Sequence, residues 1–207
     1  MILNPEIEAY IHGLLPERDE VLTEMEEFAA ERRIPIVGPA VARLLAQLVL
    51  ISGAKRIFEL GSAIGYSTIW LARAAGSGGE IHYSDGSQQN ADRAQSYFER
   101  AGVAGRIQVH VGDALTALRN TAGDFDLIFN DVDKEGYLEV LGAAPARLRA
   151  GGLFVTDNSL WHERVLDPKD DPSRTVVKFN QKLFKDNDFW STLIPLRDGV
   201  LIAVKIR

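Results

Sequence analysis

A chain of 207 residues, 46% apolar and 25% charged, can bury a sizeable core in one large domain or two small ones. Its net charge of −6, with Arg32-Arg33 as the longest basic run, argues against a nucleic-acid backbone as partner, and the absence of cysteine excludes a disulfide framework, a thiolate nucleophile and a zinc–thiolate site. The N-terminus lacks a basic segment ahead of an apolar core, and no apolar run approaches the ~18 residues of a membrane span, so a soluble cytoplasmic protein without membrane contact is expected.

Residues 1–33 are acidic and patterned as helix. Pro5 and Pro16 stand where helices can begin, and Val21, Leu22, Met25, Phe28 and Ala29 share one helical face that must dock on the main body or on a second copy. Ile34-Pro35-Ile36-Val37-Gly38-Pro39 reads as an extended connector. A helix then runs from Pro39, with the stripe Val41, Leu44, Leu45, Leu48 and Val49, to a stop at Gly53.

From there strands are predicted at 56–60, 80–84, 106–111, 125–130 and 152–156, separated by helices at about 66–75, 87–101, 113–120 and 135–149. Pro145 should kink the last of these or end its first half. Such alternation means a parallel sheet covered on both faces. A loop over 159–172 and a helix over about 173–187 follow. Phe189 to Pro195 and Val200 to Ile206 then flank Asp198-Gly199, the signature of an antiparallel hairpin. No repeat or internal domain boundary is visible.

Five strand ends carry candidate chemistry, because ligands of open parallel sheets bind beyond the carboxyl ends of the strands. Glu59-Leu60 runs into Gly61-Ser62-Ala63-Ile64-Gly65, whose glycines permit a tight turn and whose free N–H groups at the next helix can hold a small anion. The G-x-x-x-G spacing differs from the G-x-G-x-x-G of dinucleotide cradles, and Glu59 would repel phosphate but suit an ammonium group. Asp85, ending the second strand about 20 residues on, is placed for the hydroxyls of a ribose. Asp113 and the N–H near Ala114, after the third strand, can meet an adenine, and Asp113 can equally cap a helix. The fourth and fifth predicted strands end in Asn130-Asp131-Val132-Asp133-Lys134 and Thr156-Asp157-Asn158. Two carboxylates and an amide carbonyl are hard oxygen donors suited to Mg²⁺, Mn²⁺ or Ca²⁺, and facing like charges need a cation between them. His82 and His110 fall within strands and read as packed.

Taken together, Glu-Leu-Gly-x-x-x-Gly-Tyr-Ser, Asp85, Gly112-Asp113-Ala114, Asp131-Val132-Asp133-Lys134 and Thr156-Asp157-Asn158 resemble the cation-dependent O-methyltransferases, the family of catechol and caffeoyl-CoA O-methyltransferases and their bacterial relatives. The match runs from about Arg33 to the C-terminus and implies a Rossmann-like α/β fold: a seven-stranded, mostly parallel sheet with a C-terminal antiparallel hairpin and helices on both faces. It implies one methyltransferase domain over 1–207, with 1–33 as a lid or dimer contact. It further implies S-adenosylmethionine held by Val37, Glu59, Gly61, Ser67, Asp85, Asp113, Ala114 and Asp131, and a divalent cation, Mg²⁺ foremost, on Asp131, Asp157 and Asn158. Lys134 would take or steer the proton beside Asp131, while Asp133 and Trp161 would meet the substrate. The implied reaction moves a methyl group to a hydroxyl of a vicinal-diol aromatic small molecule, in a homodimer. His162 and Glu163 depart from the small residues of many relatives, which puts the acceptor pocket in question. The competing readings are an NAD-dependent oxidoreductase and a non-catalytic S-adenosylmethionine-binding protein; the first is disfavoured by the glycine spacing and the hairpin, the second by the intact Asp131, Lys134, Asp157 and Asn158.

Overall fold

The structure, a computed structural model, describes residues 4–207. Among these, seven strands form one sheet: β1 (Arg56–Leu60), β2 (Glu80–Asp85), β3 (Ile107–Val111), β4 (Phe125–Asn130), β5 (Leu148–Thr156), β6 (Phe189–Ile194) and β7 (Val200–Lys205). Their spatial order is β3-β2-β1-β4-β5-β7-β6; β7 runs antiparallel to both of its neighbours, β5 and β6, and the other pairs are parallel. The order reverses between β1 and β4, so the crevice for a ligand lies between their carboxyl ends.

Eight α-helices complete the described chain: α1 (Pro5–Gly13), α2 (Glu20–Arg32), α3 (Gly38–Ser52), α4 (Tyr66–Ala75), α5 (Gln88–Arg100), α6 (Ala114–Asn120), α7 (Tyr137–Ala143) and α8 (Asp171–Lys185). Helices α2 to α5 pack with Ile57, Leu127, Phe129 and Val155 on one face of the sheet. Helices α6 to α8 pack with Phe58, Ile128 and Phe154 on the other. Successive residues of β1, β4 and β5 thus enter opposite cores, which is why these strands read as unbroken apolar runs rather than alternating ones. Among the described residues no helix is long and apolar enough to cross a membrane.

Four boundaries differ from the sequence expectation, one being β5, which begins at Leu148 rather than 152. Pro5 does open α1, but α2 begins at Glu20 rather than at Pro16, because the Asp19 side chain accepts from the Leu22 amide and caps it there. The helix predicted over 135–149 ends at Ala143; Pro145 opens a short 3-10 turn and the chain is already extended at Leu148. The last helix starts early, at Asp171, where Asp170 and Ser173 form a capping box. The apolar face of α2 docks on the main body: Leu22, Met25 and Ala29 are buried beside Tyr66 and Tyr97, and Glu26 accepts from the Tyr66 hydroxyl at 2.6 Å. Helix α1 buries none of its residues.

His82 and His110 are packed, as their strand positions suggested. Both rings stack on Phe58, and His82 bridges Glu80 Oε1 (2.7 Å) to His110 Nε2 (2.9 Å). With a proton on each Nε2, both rings are neutral and the chain of bonds is satisfied. Burial holds both histidines below the usual imidazole range, against the pull of Glu80 on His82. The unfolded chain therefore takes up these protons first as pH falls, so the stability they contribute is present above about pH 6.5 and is lost below it. The urea midpoint is expected to drop between pH 7.5 and 5.5. His82→Gln/His110→Gln should flatten that slope, and an unchanged slope would place its source elsewhere.

Candidate active site

The turn after β1 is built by its neighbours as much as by its glycines. Gly61 (φ +81°) hydrogen-bonds to Ser84 O, and a Cβ there would lie 2.5 Å from the carbonyl oxygen of Asp131. Gly65 (φ +84°) is pressed against Phe98 of α5 in the same way. Both glycines therefore serve close backbone packing. Asp85 straps the turn down: one carboxylate oxygen accepts from Ala63 N (3.0 Å), the other from Ser87 N (2.8 Å) and Asn90 Nδ2 (3.0 Å).

Glu59 and Ser67 are brought together, but not as an open ligand cradle. Glu59 is fully buried, and its two oxygens accept from the Ser67 and Thr68 hydroxyls at the start of α4. Burial pushes its carboxyl above the usual range, against those two hydrogen bonds. Its visible work is to tie β1 to α4. Asp113 is the N-cap of α6, accepting from Thr116 N at 2.7 Å, with Ala114 as the first helical residue. Val37 is buried ahead of α3 and borders a different space, described below.

The acid pair forms where β4 and β5 end side by side. The strands pair Asn130 with Thr156, and Asp157 N donates to Asn130 O at 3.1 Å, so Asp131 and Asp157 leave the sheet together. Burial, and then the charge of Asp157, pushes the Asp131 carboxyl up; burial also pushes the Asp157 carboxyl up, against the hydrogen bond from Asn158 N and the charges of Arg197 and Lys134. Lys134 is buried beside Asp131: Nζ donates to Asn158 Oδ1 (2.7 Å) and Val132 O (3.2 Å), and lies 3.8 Å from Asp131 Oδ1. Burial pulls its ammonium below the usual lysine range, while Asp131 and Asp157 pull the other way.

Asp157 Oδ1 is buried with no hydrogen-bond partner among the described residues. Among those residues no three His, Cys, Asp or Glu side chains gather into a metal-binding group. A cation here would have to use the mixed set of Asp131, Asp157 and Asn158. That set fits one: the donors are hard oxygens, one carboxylate oxygen is unengaged, and Asn158 already turns its carbonyl to an ammonium.

The loop that follows is held from three sides. The Tyr137 hydroxyl donates to Asp157 O (2.6 Å), Asn180 Nδ2 to Ser159 O (2.7 Å), and Ser159 N and Leu160 N donate to Gly199 O and Asp198 O of the β6–β7 turn. Asn158, Trp161, His162 and Glu163 all have positive φ. Such strain persists only where the surroundings enforce it, and it gathers at functional sites. Trp161 lies with its ring 5.2 Å from Lys134 Nζ, walling that side. Asp133 is exposed, and its charge acts on Lys134.

Sequence reading missed Asp198. It is nearly buried, accepts from His162 N at 2.6 Å and leaves Oδ2 without a hydrogen bond. Asp-Gly gives a strong turn signal that masks any second role; a Cβ at Gly199 would strike Leu160 at 2.5 Å, so the turn is clamped onto the site loop.

Comparison with known proteins places this geometry in context. Residues 14–206 match the family model described as O-methyltransferase. A catechol O-methyltransferase of Niastella koreensis is 32% identical, over 96% of each chain. Caffeoyl-CoA O-methyltransferase 1 of Zea mays is 29% identical over 94% of this chain and 82% of its own. Among solved structures, an O-methyltransferase from Bacillus cereus in complex with SAH superposes with a TM-score of 0.88 at 31% identity, covering 97% of both chains. TomG from Streptomyces achromogenes, in complex with SAM, gives 0.88 at 30% identity, covering 98% of this chain and 96% of its own.

Proposed function

The chain belongs to the O-methyltransferase family, and we propose that it transfers a methyl group from S-adenosylmethionine to a hydroxyl of a vicinal-diol aromatic, with a divalent cation, Mg²⁺ foremost, on Asp131, Asp157 and Asn158. One observation carries this reading: an acid pair, an amide and a buried lysine meet at the β4 and β5 ends, directly beside the β1 glycine turn. Relatives in complexes with SAH and SAM support the donor, and the names of the catechol and caffeoyl-CoA enzymes support the acceptor. The family match leaves the NAD-dependent reading without support.

In this reading the donor lies across the carboxyl ends of β1 and β4. The Gly61 turn and Ser67 frame its amino-acid end, with Glu59 fixing the Ser67 hydroxyl; Asp85 meets the ribose, Asp113 and Ala114 the adenine, and Asp131 and Val37 border the sulfonium side. Asp133 and Trp161 border the acceptor. Transfer forms a C–O bond to the acceptor as the C–S bond of the sulfonium breaks, the sulfur keeping the electron pair. The acceptor hydroxyl loses its proton to Lys134 Nζ, whose burial favours the neutral amine. A bound cation supplies Lewis-acid charge that favours an ionised acceptor hydroxyl. Holding both reactants in near-attack geometry provides much of the remainder. Helix α1, with no buried residue, is the lid over the acceptor or the contact of a homodimer.

The test is release of S-adenosylhomocysteine from a panel of vicinal-diol aromatics. Release is expected with Mg²⁺ and lost in EDTA; turnover that survives EDTA sinks the cation mechanism.

A further inference from the structure

Beside the acid pair, the β6–β7 turn presents a side chain that the reaction above does not use. Arg197 adopts φ +52°, a left-handed conformation in which glycine or asparagine would be at ease. Its neighbour Asp198 is pinned to His162 and Leu160 of the site loop, so the turn cannot relax without disturbing that loop. Arg197 is nevertheless exposed and makes no hydrogen bond or ion pair among the described residues. Its charge is near enough to favour the ionised forms of both Asp131 and Asp157.

Arg197 borders two neighbouring spaces, which also share His12 and Gly38. One is a cavity of about 80 Å³ closed by Glu8, Ile11 and His12 of α1, by Val37 and by Leu196. The other is a groove of about 560 Å³ that also carries His12, Arg18 and Arg33, with Glu26 as its one acid. Glu26 is engaged by Arg18 and by the Tyr66 hydroxyl, which leaves the Arg33 and Arg197 side chains without a hydrogen bond or ion pair among the described residues, on a chain of net charge −6. A fixed turn therefore holds a free, forked donor between the acid pair and a basic groove, the geometry of carboxylate recognition.

We propose that Arg197 is a specificity residue that binds a carboxylate carried by the acceptor, so that the preferred substrates are vicinal-diol aromatic acids. The proposal rests on the methyl-transfer reading and adds a prediction of its own.

The experiment compares 3,4-dihydroxybenzoate with its neutral methyl ester, using wild type, Arg197→Gly and Arg197→Lys with S-adenosylmethionine and Mg²⁺. Arg197→Gly suits the positive φ and preserves the turn. It is expected to lower kcat/KM for the acid by about 10- to 100-fold, the worth of a charged hydrogen bond, mainly through KM. The ester should change by less than about threefold, and Arg197→Lys should restore part of the loss for the acid. Equal losses on both acceptors would assign Arg197 to the chemistry or to loop support and overturn the proposal, as would no loss on either. If wild type methylates neither compound nor any other vicinal diol, the methyl-transfer reading itself fails and takes this proposal with it. Wild-type turnover without a preference for the acid overturns the proposal alone.

Discussion

Asp157→Asn is expected to reduce methyl transfer by about a thousandfold or more and, in the same protein, to raise the melting temperature in EDTA. The first effect follows from the donor set. Lewis-acid stabilisation of a developing oxyanion is worth several kcal/mol, and each ~1.36 kcal/mol is a factor of ten, so losing the cation costs at least about three orders of magnitude. The second follows from packing. Asp157 is buried, one of its oxygens has no hydrogen-bond partner, and Asp131 leaves the adjacent strand beside it. A buried unsatisfied polar atom costs about 1–3 kcal/mol, more when charged. The isosteric amide removes the charge and keeps the shape, which at ~2–4 °C per kcal/mol gives a visible shift. Added Mg²⁺ should then raise the melting temperature of wild type and leave the variant unmoved. An active Asp157→Asn protein, or a wild type whose melting is blind to Mg²⁺, would remove this site as a cation centre.

The opposed signs of those two effects explain why this part of the site is legible in sequence. Strand ends that break from buried apolar runs into acids run against stability, and nothing in a fold requires Asp131 and Asp157 to face each other. The hairpin is legible because Asp198-Gly199 is strong local turn chemistry, and the parallel sheet because doubly buried strands leave continuous apolar runs. What stays hidden is set by contacts distant in sequence. Glu59 looks like a ligand for an ammonium group, yet Ser67 and Thr68 consume both its oxygens once α4 docks. Gly61 looks like a ligand turn, and its tightest constraint is the carbonyl of Asp131, seventy residues away. Asp198 and Arg197 vanish into a turn signal, because only the tertiary fold brings that turn onto the 158–163 loop. The start of α2 slips from Pro16 to Asp19 because a side-chain cap outweighs a permissive proline.

Lys134→Met is expected to lower kcat by about 10²- to 10⁴-fold, the usual weight of a general base, with little change in KM. The residue has two separable tasks. Its Nζ faces the reacting side next to Asp131, and it also holds the Asn158 amide in a left-handed backbone conformation at 2.7 Å. If the second task dominated, removing the amine would release Asn158 and weaken cation binding together with turnover. If the first dominates, the two separate: the Mg²⁺-dependent rise in melting temperature should persist in Lys134→Met, because the ammonium no longer competes for Asn158 Oδ1, while transfer collapses. Lys134→Arg discriminates further. A guanidinium keeps the positive charge and can reach an amide oxygen, but it is not deprotonated in proteins. It should support the loop and fail to restore the rate. Rescue by arginine would mean that Lys134 supplies charge rather than accepts a proton, and the deprotonation step would then fall to the cation and solvent alone.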